Sequence, residues 1–394
     1  MLTIERLAQI RDAFPRLATG VDGWLLFDFR GLNPVMAAVV GPEVAGSRRA
    51  YVYIPQDGLP AAVVHAVDAE LWRGWPVEWP KMVWVRREAL RPALASLVGG
   101  RTVAMEYSPE GAVPYGDYVP AGALELVRAA GATPVSSAEL VTRCCSVWSP
   151  DELASHRRSA AALSEIARSA FNHVGARARG DRPVMEHELT AWVLERLERA
   201  GLETESSPSV SFGANAARPH YEPTESESLP MVPGALLLLD LWAYEPGGIY
   251  ADQTWMASIG SPAAHAVQIW EVVRSARDAA LDLLRSRLEG GEAVSGAEAD
   301  RAARDVIDAA GFGDRIVART GHSIDRMGIH GFGPTIDDTE SFDARQIIPG
   351  VGFSVEPGIY IPGEIGVRSE VNAHAAEWGL EVTPGDYQRE LMVV

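Results

Sequence analysis

Short apolar runs, each bounded by Gly, Pro or charge, recur through the first 146 positions. DGWLLFDF, RAYVYIP, PAAVVHAV, MVWVR and TVAMEY predict strands, and the segments between and after them predict helices near Arg87–Leu97 and Tyr118–Ala130. The N-terminal MLTIERLAQIRDAF carries charge throughout and reads as an amphipathic helix rather than a secretory leader. This alternation is that of an α/β domain.

A different pattern starts at Ser149. Ser149 is a candidate N-cap, Pro150 suits the first helical position, and Asp151 and Glu152 complement the positive end of a helix running to about residue 178. A second helix follows at about 184–200, stopped by Gly201, and then an apolar hairpin near 234–257. The same succession returns: a helix at about 262–289 opened by Ser261-Pro262, another at about 296–310 stopped by Gly311, and the hairpin SVEPGIYIPGEIGVRSE, Ser354 to Glu370. The halves share a pattern and negligible residue identity. The expected organisation is therefore an α/β domain over 1–146 and an internally duplicated α+β domain over 147–394.

Composition narrows the function classes. A net charge of -18 argues against nucleic acid, whose phosphates need basic contacts, and disfavours anionic membrane surfaces. No apolar stretch approaches a membrane span. The two cysteines, Cys144 and Cys145, are adjacent, which excludes a disulfide framework and any cysteine metal site. Reduced cysteines point to a cytoplasmic protein.

The hairpins pose a problem in electrostatics. If the second turn centres on Gly363, Glu356 and Glu370 stand opposite one another. If the first, in LLLLDLWAYEPGGIYADQTW, centres on Pro246, so do Asp240 and Asp252. Opposed residues have Cβ atoms about 5 Å apart, and like charges there are destabilising. Buried carboxylates need hydrogen bonds, a cation or a metal, and Arg368 supplies only one positive charge. One or two divalent cations would turn the repulsion into ligation. An oxygen-rich site with one imidazole suits Mn²⁺, Fe²⁺, Co²⁺ or Zn²⁺. Candidate imidazoles are His322 and His330 in ARTGHSIDRMGIHGFGP, and His220 in SFGANAARPHYEP.

Together, the Asp-bearing hairpin, TGHS, SVEPGIY and GVRSE resemble the motif set of the pita-bread metallopeptidases: aminopeptidase P, prolidase and creatinase-like proteins. The resemblance covers about residues 150–394. It implies a creatinase-type N-terminal α/β domain before a pita-bread catalytic domain. It also implies a two-metal centre ligated by Asp240, Asp252, His322, Glu356 and Glu370, with Asp252 and Glu370 bridging. Mn²⁺ is the first expectation, with Co²⁺, Zn²⁺ and Fe²⁺ compatible. Glu356 would also be the general base for an activated water. His220 and His330 would bind substrate and steady the tetrahedral intermediate, Arg368 would orient a bridging carboxylate, and Tyr360 would belong to the same outer shell. Homodimers are usual in the family.

The activity implied is metal-dependent exopeptidase cleavage of Xaa-Pro bonds in dipeptides or short peptides. The alternative is a non-peptidase metal-dependent hydrolase or lyase on the same scaffold. A silent binding module is disfavoured by the intact ligand set. Against the family pattern, the Asp240–Asp252 and His322–His330 spacings are each one residue longer, Asp325 adds a charge between the histidines, and Trp255 stands where Arg commonly occurs.

Overall fold

Every residue of the strand Gly23–Asp28 (β1) is buried, as its nearly unbroken apolar sequence requires of a strand covered on both faces. It lies in the first of two compact units, Met1–Cys145 and Ser146–Val394. The computed structural model describes residues 1–14, 20–219 and 221–394. The other strands of the first unit are β2 (Ala50–Pro55), β3 (Ala61–His65), β4 (Lys81–Trp84), β5 (Thr102–Met105) and β6 (Thr133–Ser136). They form one mixed sheet in the order β4-β3-β2-β1-β5-β6.

The helices of this unit are α1 (Ile4–Ala13), α2 (Pro34–Val40), α3 (Arg87–Val98), α4 (Ala121–Ala129) and the short α5 (Ala138–Val141). Leu90, Leu94 and Val98 of α3 and Leu124 and Val127 of α4 join Leu25, Phe27, Val63 and Val103 in one core. The α4 helix starts three residues later than the sequence pattern suggests, because Val119 precedes Pro120 and a residue before proline disfavours the helical region.

In the second unit the long helix α6 (Pro150–Arg177) begins as its sequence dictates. Ser149 and Glu152 form a reciprocal capping box, with Pro150 at the first position. Its buried Leu163, Ile166, Ala167, Ala170, Phe171 and Val174 recur at helical spacing and form one stripe. Next come α7 (Glu186–Arg199), β7 (Ser209–Phe212), β8 (Leu236–Ala243) and β9 (Ala251–Ser258). The succession repeats in α8 (Ala264–Glu289) and α9 (Gly296–Ala309), which lead to β10 (Ser323–Ile324), β11 (Gly352–Val355), β12 (Gly358–Ile361), β13 (Ile365–Arg368), β14 (Val371–Ala376) and β15 (Gly379–Thr383). A last strand, β16 (Met392–Val393), returns to the first half. Ser261 and Pro262 do not open α8. Ala263 is still extended (ψ 145°), so the helix begins at Ala264 without a side-chain cap.

Among the described residues these strands form three sheets, with orders β16-β9-β8-β7, β10-β11-β14-β15 and β12-β13. The α6–α7 pair packs its apolar stripe on β7–β9 through Phe171, Val174, Leu189, Val193, Leu237, Leu239 and Leu241. The α8–α9 pair covers the second-half sheets through Trp270, Val273, Leu284, Phe353, Val355, Val367 and Val371.

The registers set the site. Across β8–β9, Asp240 stands opposite Thr254 and Asp252 opposite Trp242. The two aspartates are therefore not directly opposed. The reversal centres on Gly247, whose positive φ (76°) suits glycine, one residue beyond Pro246. Moving a turn centre by one residue moves each partner by two, so both aspartates keep the same face as diagonal neighbours. In the second hairpin, Val355 opposes Val371 and Gly358 opposes Arg368, one continuous register about Gly363. Glu356 and Glu370 occupy equivalent positions where this ladder is interrupted. There the Glu356 N–H donates to the Thr320 carbonyl (2.6 Å) and the Glu370 N–H to that of Thr254 (3.4 Å).

Candidate metal centre

The two interrupted or turned hairpins and the start of β10 deliver their polar side chains to one place. Donor atoms of Asp252, His322 and Glu370 all lie within 4.8 Å of one another, and all three residues are buried. His322 Nε2 is 3.3 Å from Asp252 Oδ2 and 3.3 Å from Glu356 Oε1. Arg368 Nη2 donates to Asp240 Oδ2, and Arg368 Nη1 lies 3.7 Å from Glu356 Oε2. Arg368 thus pairs directly with Asp240, and it is linked to Glu370 through Thr254. The Thr254 hydroxyl accepts from Arg368 Nε (2.8 Å) and donates to Glu370 Oε2 (2.7 Å).

Such crowding is costly in the protein alone. Two unit charges 4 Å apart repel by about 4 kcal/mol at an effective dielectric of 20, so one guanidinium does not balance four carboxylates. Burial, and then the charges of Asp252 and Glu356, push the Asp240 carboxyl up to about 7, against the pull of Arg368. Burial, with Asp252, Glu356 and Asp240 around it, holds Glu370 well above the ordinary carboxylate range. Burial opposes a charged His322, but the hydrogen bond and charge of Asp252 and the charge of Glu356 outweigh it and raise its pKa.

The donor set fits divalent metal. His322 Nδ1 faces the Ser323 carbonyl at 3.2 Å, which places its proton there and leaves Nε2 turned to the carboxylates. Glu370 Oε1 is buried without a hydrogen-bond partner among the described residues. A lone pair from one imidazole and several anionic oxygens are what Mn²⁺, Co²⁺, Zn²⁺ or Fe²⁺ require. Asp240, Asp252, His322, Glu356 and Glu370 could hold such ions.

The remaining candidates are distributed around this cluster. His330 is exposed, and its ring centroid is 4.4 Å from that of His322, edge to face. Tyr360 is buried and lines a cavity with Arg368, Leu238, Ser209, Ser211 and Arg218. Its burial raises the phenol pKa, with Arg368 acting in the opposite sense. His220 lies outside the described residues.

Several supporting residues escaped the motif reading. Ser354 Oγ accepts the His322 N–H (3.0 Å) and donates to Glu356 (3.1 Å), and Asn372 Oδ1 accepts the Asp252 N–H (2.9 Å). Thr254, Ser354 and Asn372 each stand two positions from a candidate ligand, as the already expected Arg368 does, and that period was a usable signal. Arg277 is fully buried in the apolar stripe of α8 and donates to Ser369 Oγ (2.7 Å) between Arg368 and Glu370. Glu186, at the start of α7, accepts from the Phe212 and Leu229 N–H groups and the Tyr221 hydroxyl, tying α7 to the end of β7 and to Tyr221 and Leu229. No sequence pattern distinguished it.

Comparison with known proteins gives a consistent setting. The profile described as metallopeptidase family M24 matches residues 154–375. A Mycobacterium tuberculosis protein named "Probable dipeptidase PepE" is 28% identical over 349 residues, 86% of this chain and 84% of that one. The Xaa-Pro dipeptidase of Lactobacillus delbrueckii subsp. lactis is 35% identical over 176 residues, 44% of each chain. The crystal structure of dipeptidase PepE from Mycobacterium ulcerans aligns over 99% of this chain and 97% of its own, with a TM-score of 0.74 at 24% identity.

Proposed function

Since this chain belongs to metallopeptidase family M24, with the pita-bread fold, we propose that it hydrolyses the Xaa-Pro bond of dipeptides or short peptides. The proposed ligands of a two-ion centre are Asp240, Asp252, His322, Glu356 and Glu370. The observation that carries this reading is the buried Asp252–His322–Glu370 cluster, in which Glu370 Oε1 has no partner among the described residues. The substrate class is supported by relatives named as a dipeptidase and an Xaa-Pro dipeptidase.

Divalent ions, when bound, lower the pKa of a water and polarise the scissile carbonyl. Mn²⁺ is proposed first among them. Glu356, held by Ser354, takes a proton from the attacking water and passes it to the departing proline nitrogen. His330 donates to the developing oxyanion, with His220 as the second proposed donor. Arg368 fixes Asp240 directly and Glu370 through Thr254, and Tyr360 closes the cavity beside it. Residues 147–394 form the proposed catalytic domain, following in sequence a creatinase-type domain over 1–146. A cytoplasmic homodimer completes the proposal, the two buried free cysteines being consistent with a reducing compartment.

The test is elemental analysis after Mn²⁺ loading, followed by a panel of Xaa-Pro dipeptides and longer peptides. Close to two ions per chain and release of proline are expected. A metal-replete protein that cleaves no member of the panel, but turns over a non-peptide amide or a lyase substrate, would replace this reading.

A further inference from the structure

Between His322 and His330 lies a buried carboxylate that the reaction above does not use. Asp325 is 1% exposed. Its Oδ2 accepts the Ser146 hydroxyl (2.6 Å) and the Phe332 N–H (2.7 Å), and its Oδ1 accepts the Met327 N–H (2.9 Å). The backbone of Asp325 also exchanges hydrogen bonds with Gly328, at 3.3 and 3.1 Å, closing a tight turn. The neighbouring Arg326 is committed elsewhere, to Glu152 and the Val147 carbonyl.

The chain is shaped to admit this carboxylate. A Cβ on Gly331 would lie 2.5 Å from both Cγ and Oδ2 of Asp325, so only glycine leaves room. Asp325 therefore grips the loop at Met327 and at Phe332, on either side of His330. Buried carboxylates that accept several N–H or O–H donors fix backbone geometry strongly, because releasing any donor leaves it unsatisfied. The His330 ring lies edge-to-face with that of His322, 4.4 Å between centroids.

We infer that Asp325 is a positioning residue for catalysis: by clamping Met327 and Phe332 it presents His330 to the carbonyl oxygen of the substrate. The inference rests on the role given to His330 above. It assigns a purpose to a charge that the family pattern does not contain, and to the lengthened loop that accompanies it.

A double-mutant cycle in the metal-loaded full chain tests it. Asparagine at 325 must turn its amide group toward one of the donors, so Asp325→Asn should lower kcat/KM about 10- to 100-fold, mainly in kcat, with metal content unchanged. In the His330→Ala background the same substitution should cost less than about twofold. Ser146→Ala removes one donor only and should give a smaller loss of the same kind, which guards against misfolding of the stronger variant. In the diamagnetic Zn²⁺-loaded protein the imidazole resonances of His330 should shift or broaden in Asp325→Asn, and those of His322 should move only as far as loss of the 4.4 Å ring contact requires. An equal loss in both backgrounds, or an unperturbed His330 resonance, overturns the inference. If the parent protein cleaves no Xaa-Pro peptide, the functional reading fails, while the resonances still report whether Asp325 orders His330.

Discussion

His322 Nε2 stands 3.3 Å from Asp252 Oδ2, and the two residues come from different halves of the duplicated unit. Neither half can assemble this contact alone. The cluster is therefore also a junction between β9 and the start of β10. A cation there binds only when both halves are folded and docked.

Metal should accordingly stabilise the native state by linkage. A ligand at 100 times its Kd adds about 2.7 kcal/mol, and in a domain of this size that raises Tm by roughly 5–10 °C. Calorimetry with and without Mn²⁺ should show such a rise for the parent protein. Asp252→Ala and Glu370→Ala should show much less of it. Equal rises in all three would place the metal elsewhere.

Thr254 predicts a distinct phenotype. Its hydroxyl joins Arg368 Nε to Glu370 Oε2 at 2.8 and 2.7 Å. Thr254→Val keeps the shape of the side chain and removes that link. Outer partners of metal ligands typically change affinity 10- to 100-fold, so Mn²⁺ binding should weaken by about that factor. Titration calorimetry measures the affinity, and excess Mn²⁺ should restore most of the activity. Unchanged affinity would show that the hydroxyl does not orient Glu370.

Local chemistry made much of this molecule legible in advance. Ser149, Pro150 and Glu152 announce the start of α6, and Gly201 and Gly311 lie just past the ends of α7 and α9. The carboxylates were conspicuous because apolar strands rarely carry them unpaired. Register was less secure. The Pro-Gly-Gly run allows the reversal at Pro246 or Gly247, and only packing of the whole β8–β9 ladder selects the second. Long-range partners were least accessible. Nothing near Glu186 in sequence says that its carboxylate will meet Phe212, Tyr221 and Leu229, since those meetings depend on how α7 docks. Arg277 was readable in principle, as a cation inside the apolar stripe of a helix.

The last prediction concerns the first unit, away from the metal ligands. Glu106 directly follows β5 and is fully buried. It accepts hydrogen bonds from the Trp24 indole, from Asn33 Nδ2 (2.9 Å) and from the Ser137 hydroxyl (3.0 Å). Burial pushes its pKa up to about 7, and the three donors only partly offset that. With the folded pKa above the unfolded value of 4.5, the folded state holds the proton more tightly. The group's stabilising contribution is then complete below pH 4.5, falls as pH rises towards 7, and is gone above it. A shift of this size corresponds to about 3 kcal/mol. Glutamine cannot ionise and imitates the protonated acid. The stability difference between Glu106→Gln and the parent should therefore move in favour of the variant, by up to about 3 kcal/mol, between pH 5 and 8. Any fixed cost of turning the amide toward one of the donors is the same at every pH and drops out of the slope. Hydrogen exchange in peptides from β1 and β5, corrected for the intrinsic pH dependence of exchange, reads this unit separately from the second one. Parallel pH profiles for the two proteins would mean that Glu106 ionises in the native state at its ordinary pKa.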